Sequence, residues 1–211
     1  MRAMAWATAG CFLGAAALSG LLVARGGAPV VWLAAVSILC GVFYTAGRYS
    51  LAYTGLADGF VLVFFGPVAV GGTFYLQFPD IGWPPAHVVV AGLGPGLIAT
   101  ALLTVNNLRD VDEDRESRKR TLAVRFGRGF ARMEYAVCVV GALLSAPVAA
   151  AVAGRGWGVA AELGLLPLAW MLIRRVRSGR TGAELNPVLG ATGKLLLLFA
   201  LIFMVAWPLG A

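Results

Sequence analysis

Seven apolar stretches, roughly 3–24, 29–45, 58–77, 86–108, 131–153, 157–173 and 188–208, are each 17 to 23 residues long. A helix needs about 20 apolar residues to cross a bilayer. Inside lipid the backbone must satisfy its own hydrogen bonds, so irregular chain is confined to the connections. The expected fold is therefore all-α, a polytopic membrane helical bundle of about seven transmembrane helices. Composition agrees: charged residues make up 13% of the chain, about half the share in a soluble domain, roughly 25%. Residues 1–211 read as one integral-membrane domain without a soluble appendage, and no convincing cleavable signal precedes the first stretch. Cys11, Cys40 and Cys138 stand alone in apolar stretches, without metal-ligand spacing. They read as small buried hydrophobes.

The net charge of +7 would suit nucleic acid, but its distribution points to a membrane. With the N-terminus in the cytoplasm, 15 of the 17 Lys and Arg residues fall on the inner side, and only Arg25 and Arg155 lie outside. The positive-inside rule then fixes the orientation in the cell membrane: N-terminus and the 106–129 loop cytoplasmic, C-terminus outside. No nucleic acid partner is expected. His87, the single histidine, falls at the outer interface. The Gly10 and Gly14 pair is spaced for close helix approach, and Gly92, Pro95 and Gly96 are expected to kink or loosen their helix. Asp58 reads as a helix cap, and the tyrosines beside it as an interfacial belt, or one of them with Arg48 as facing the same cytoplasmic pocket as the acid cluster. Asn186–Pro187 reads as a helix start with Asn as cap.

The loop at 106–129, NNLRDVDEDRESRKRTLAVRFGRG, is the one long polar run. It holds Asp110, Asp112, Glu113, Asp114 and Glu116 among Arg109, Arg115, Arg118, Lys119, Arg120, Arg125 and Arg128. Basic residues alone would satisfy the orientation rule, and it has no use for five acids. If the preceding helix continues, Asn106, Asp110 and Asp114 drift only about 40° per step of four and share a face. Asn107 lies close to that face, and Asp112 lies opposite. Hard oxygen ligands of this kind suit Mg²⁺, which completes its shell with water and substrate phosphates. Arg115, Lys119, Arg120 and Arg125 are placed to neutralise a diphosphate. A membrane-embedded cavity makes a lipid diphosphate the natural substrate class.

The same residues resemble a known family. NNLRDVDEDRESRKRTLAVRFG is similar to the second aspartate-rich motif of the UbiA superfamily of intramembrane prenyltransferases. It is most similar to the branch that prenylates 1,4-dihydroxy-2-naphthoate in menaquinone biosynthesis. FYTAGRYSLAYTGLAD, FVLVFFGPVAVGGTFYLQ and LNPVLGATGKLLLL resemble that branch too, so the similarity covers nearly the whole chain. The resemblance implies a helical bundle with a cytoplasm-facing cavity. It implies an enzyme, a prenyltransferase: Mg²⁺-assisted loss of diphosphate from a polyprenyl diphosphate, then alkylation of an aromatic acceptor to give demethylmenaquinone. Carried over residue by residue, Asp110 and Asp114 would bind Mg²⁺ with Asn106 or Asn107 assisting. Arg115, Lys119 and Arg125 would contact diphosphate. Tyr44 and Arg48 match a Tyr-x-x-x-Lys element with Arg in place of Lys, which would put Arg48 at the diphosphate and Tyr44 in the substrate pocket, and Arg118 stands where the branch has Gly.

The front of the chain departs from the pattern. The superfamily has nine spans and a first Asn-x-x-x-Asp motif in its second. The expectation is an N-terminally truncated domain beginning at the family's third helix, without half the metal site. The alternative is a catalytically inactive remnant or membrane binding partner. A transporter or a CDP-alcohol phosphotransferase fits less well. The latter needs a Gly after its second Asp and two further spaced Asp, which do not occur.

Overall fold

In the computed structural model of the protein, residues 2–45 and 50–209 are described, the side chains at 2, 45, 52 and 157–160 excepted. Every element among them is helical. Helices α1 (Arg2–Gly26) and α2 (Ala28–Thr45) form a hairpin. It turns at Gly27, whose φ of 65° suits glycine. Two long-range hydrogen bonds tie the hairpin's outer end to α5 (Ala69–Gln77). Arg25 Nε donates to Leu76 O at 2.7 Å, and Tyr75 Oη donates to Gly26 O at 2.9 Å. Around Gly10 and Gly14 nothing lies within 4 Å of an added Cβ. This small-residue pair makes no close contact among the described residues.

A short turn, α3 (Leu51–Thr54), leads into α4 (Ala57–Val63), which joins α5 through a π turn at Phe64–Val68. Pro67 supplies no N–H to the helical ladder, and Gly66 takes φ −109°, ψ −111°, outside the helical region. Here α6 (Ala86–Arg109) crosses. A Cβ on Gly96 would sit 2.5 Å from Leu62 O and 2.8 Å from Gly66 Cα, and one on Gly92 would sit 3.0 Å from Pro67 Cα. The glycines expected to loosen α6 therefore let two backbones touch, and α6 runs unbroken through Pro95.

Beyond the central polar stretch come α7 (Val111–Glu116) and α8 (Leu122–Ala153). Gly127, at φ 82°, ψ 171°, interrupts the helical geometry of α8 near its start. A 3₁₀ segment at Trp157–Leu165, then α9 (Leu166–Arg177) and α10 (Asn186–Leu209) complete the chain. Among the described residues five stretches are long and apolar enough to cross a bilayer: Ala3–Gly26, Ala57–Gln77, Ala86–Arg109, Leu122–Ala153 and Gly182–Leu209. α2 is apolar but shorter, and the expected stretch at 157–173 is split between the 3₁₀ segment and α9. The protein is a multi-pass membrane helical bundle.

The core lies between α6, α8, α9 and α10, around Ile98, Val105, Leu108, Leu143, Leu172 and Leu195. Buried Tyr135 meets the hydroxyl of Thr192 at 2.9 Å, so neither polar atom is stranded. At the end of the bundle away from the central polar stretch His87 stacks on Trp207, with centroids 5.9 Å apart. Arg155 lies over the same indole and donates to Trp207 O at 2.9 Å. Cys138 is buried, but Cys11 is exposed on α1, so burial does not describe all three cysteines.

Candidate functional site

The end of α6 builds the site. The helix stops at Arg109, and Asp110 leaves helical geometry at φ −96°, ψ 11°. Even so, Asp110 N donates to Asn106 O at 3.0 Å, and Asp114 N donates to Asp110 O at 2.8 Å. The four-residue spacing survives the break. Asn106, Asn107, Asp110 and Asp114 therefore line one polar cavity of about 120 Å³, although no single helix carries them. Tyr44, Asp58, Lys119 and Thr121 line the same cavity.

Lys119 arrives there by a local device. Its N–H donates to Asp114 O at 2.8 Å, and Arg118 N–H donates to Arg115 O at 3.2 Å. These paired bonds are the Schellman closure of α7, with Arg118 at the left-handed position. The closure folds Lys119 back over the helix end, where its Nζ reaches Asp114 Oδ1 at 2.8 Å. That hydrogen bond, reinforced by the Asp114 charge, holds the Lys119 ammonium above the usual lysine range and keeps it charged at neutral pH. Arg118 has φ 59°, the one described non-glycine residue at positive φ. An L-residue in this region costs about 1–2 kcal/mol. Arg118→Gly is therefore expected to raise stability by about 1 kcal/mol, read as a higher thermal midpoint in detergent. An unchanged or lower midpoint would contradict it.

Arg109 is the residue that the sequence pattern undervalued. Its Nε and Nη2 grip Asp110 at 2.6 and 2.7 Å, a bidentate pair. Nη2 also donates to Asn106 Oδ1 at 2.9 Å, and Nη1 donates to Asn186 Oδ1 at 3.1 Å. Asn186 is thus the first residue of α10, already helical at φ −55°, ψ −43°, with its side chain turned to Arg109. This corrects the reading of Asn186 as a cap. Nothing local in the sequence signals a contact across 77 positions.

Of the described basic residues expected at a diphosphate, Lys119 alone lines the cavity. Arg115 lies 3.6 Å from Asp112 on the exposed face, where Asp112 also pairs with Arg128 at 2.5 Å. Arg125 is exposed, with its Nε beside Gly55. Arg48 lies outside the described residues.

Asp58 does not cap α4, because no side-chain cap bond forms there. It is 4% exposed, and among the described residues no other residue donates a hydrogen bond to its carboxylate. An ionisable residue at the start of an apolar span is itself a functional signal, and that was the available clue.

The donor set fits a hard divalent cation, since Asp110, Asp114, Asn106 and Asn107 offer oxygen ligands facing one cavity. Among the described residues no three His, Cys, Asp or Glu side chains converge on one ion. Two carboxylates completed by water and phosphate oxygens are the arrangement Mg²⁺ accepts.

Tyr44, Leu103 and Asn106 also line a second cavity, of about 820 Å³. Its other walls are apolar, from α2, α4, the π turn, α6 and α10, and include Cys40, Phe60, Phe64 and Leu102. Phe60 and Phe64 stack with centroids 5.8 Å apart. A small polar compartment thus adjoins a large apolar one, and the volume falls within the roughly 300–1,000 Å³ of ligand cavities.

The chain is 40% identical over 201 residues to the 1,4-dihydroxy-2-naphthoate octaprenyltransferase of Mycobacterium tuberculosis, covering 92% of this chain and 65% of that protein. It is 33% identical over 178 residues to the protein of the same name from Haemophilus influenzae, covering 84% and 57%. The Escherichia coli protein of that name is 42% identical over 117 residues, 53% of this chain and 35% of that one. The chain thus spans 57% to 65% of the length of the first two relatives. The signature of the UbiA prenyltransferase family matches residues 2–188, and the chain belongs to that family.

Proposed function

We propose that the protein transfers a polyprenyl group from a polyprenyl diphosphate to an aromatic acceptor. The acceptor suggested by the relatives' names is 1,4-dihydroxy-2-naphthoate, which would make the product demethylmenaquinone. The observation that carries this reading is the pairing of compartments: an acid- and lysine-lined cavity sharing Tyr44, Leu103 and Asn106 with an apolar one. The diphosphate belongs in the first and the isoprenoid in the second, with the allylic carbon at the shared wall. Asp110 and Asp114, with Asn106 or Asn107, would hold Mg²⁺, which would supply charge neutralisation to the departing diphosphate. Lys119 would donate to phosphate oxygens once released from Asp114. Arg109 holds Asp110 and Asn106 in place. Phe60 and Phe64 present ring faces, which attract positive charge at the prenyl group. The apolar wall keeps water from intercepting that group. The bilayer supplies the prenyl substrate, and the basic distribution supports a cytoplasmic site.

The direct test incubates membranes carrying the full gene product with polyprenyl diphosphate, the naphthoate and Mg²⁺. Prenylated naphthol should form, stop with a chelator and resume when Mg²⁺ is restored. Retention of polyprenyl diphosphate without product would instead fit a binding protein. The apolar cavity adds a second expectation. Ala99, on its wall, enlarged to Phe should shift preference towards shorter chains. Each excluded five-carbon unit forfeits roughly 3–4 kcal/mol of burial at about 0.8 kcal/mol per carbon. Competition between long and short diphosphates should therefore move at least about tenfold. An unchanged ratio would place the isoprenoid elsewhere.

A further inference from the structure

Asp58 is a residue of the polar cavity whose condition the assignments above leave unexplained. It is almost fully buried, yet among the described residues no other residue donates a hydrogen bond to its carboxylate. Burying a carboxylate without hydrogen bonds is costly. Among the described residues that line its cavity, the one cation, Lys119, is bonded to Asp114. It does not cap α4, and it does not converge with Asp110 and Asp114 as a third carboxylate on one ion. It does line the polar cavity, together with Tyr44, which also lines the apolar compartment. A donor brought in from outside the chain would satisfy it.

We propose that Asp58 is the catalytic carboxylate on the acceptor side, receiving the hydroxyl proton of the aromatic substrate as its ring carbon is alkylated. This rests on the prenyl-transfer reading. In the step, the allylic C–O bond breaks, and its electron pair leaves with the diphosphate. The ring carbon bearing the carboxylate bonds to the prenyl carbon. The adjacent O–H proton passes to an Asp58 oxygen, and the O–H electron pair becomes a ring carbonyl. Loss of CO₂ from the resulting β-keto acid leaves an enolate, which recovers the proton from Asp58 and restores the aromatic ring. Proton and charge balance without a further reactant.

The test uses the full gene product in membranes, as wild type, Asp58→Asn and Asp58→Glu. The acceptors are the dihydroxynaphthoate and its methyl ether at the hydroxyl beside the carboxylate. Positioned proton transfer contributes about 10²–10⁴-fold. Asp58→Asn should lower kcat with the hydroxylated acceptor by at least about a hundredfold. The KM for polyprenyl diphosphate should stay within about twofold, and Asp58→Glu should recover part of the loss. The methyl ether should slow wild type comparably but slow Asp58→Asn no further, because the two changes remove one interaction. Normal turnover by Asp58→Asn, or losses that multiply, would overturn the proposal. Its failure is separable from failure of the underlying reading: in that case the wild type itself would prenylate no acceptor.

Discussion

Asp114→Asn should abolish prenyl transfer while leaving the protein folded, and Asp110→Asn should do the same. Asparagine keeps the shape and part of the hydrogen bonding but removes the negative charge that a divalent ion requires. Metal-assisted departure of a phosphate group is worth several kcal/mol. A loss of about 4 kcal/mol corresponds to about a thousandfold in rate. The two variants should differ in stability. Asp114 is buried and bonded to Lys119 alone, so its replacement frees the lysine. Asp110 anchors the Arg109 network that joins α6 to α10, so Asp110→Asn should also lower the thermal midpoint. The measurement is turnover at saturating Mg²⁺ beside a melting curve. Near-normal turnover by either variant would remove that residue from the metal assignment.

Gly96→Leu should carry the largest stability loss of any single change at a helix crossing. The added Cβ would meet Leu62 O at 2.5 Å and Gly66 Cα at 2.8 Å. Both are backbone atoms, so no rotamer change relieves the clash. Overpacking costs about 1–3 kcal/mol where side chains can yield, and here α4, the π turn and α6 would have to separate. We expect a loss of about 3 kcal/mol or more, together with disturbance of the apolar cavity, whose Phe64 and Phe65 sit at the same turn. Gly10→Leu is the control, since nothing lies within 4 Å of its added Cβ. Equal thermal midpoints for the two variants would show that the crossing is not close-packed.

The spans and the acid–amide face were legible because each rests on a local rule. Apolar length reports a membrane helix, and a spacing of four reports a shared helical face. That face held although α6 ends at Arg109, because the backbone bonds to Asn106 and Asp110 bridge the break. What local rules missed depends on distant partners. Gly92 and Gly96 read as a kink because their counterpart, Gly66, is some thirty positions earlier in the chain. Arg109 looked like one cation among seven until α10 brought Asn186 to it. Arg115 was grouped with Lys119 by proximity, but only Lys119 is folded back by the Schellman closure. The apolar cavity is assembled from helices far apart in sequence, so no window of residues could reveal it.

The most direct measurement is photolabelling of the full gene product with a polyprenyl diphosphate that carries a photoreactive group at the far end of its isoprenoid, followed by mapping of the labelled peptides. Labelling should fall on the apolar wall, within 37–44, 60–69 or 99–103. It should be competed away by unlabelled polyprenyl diphosphate and weakened in Asp114→Asn. Competable labelling confined to the basic end of α9, or labelling indifferent to Asp114, would contradict a single substrate spanning the two compartments.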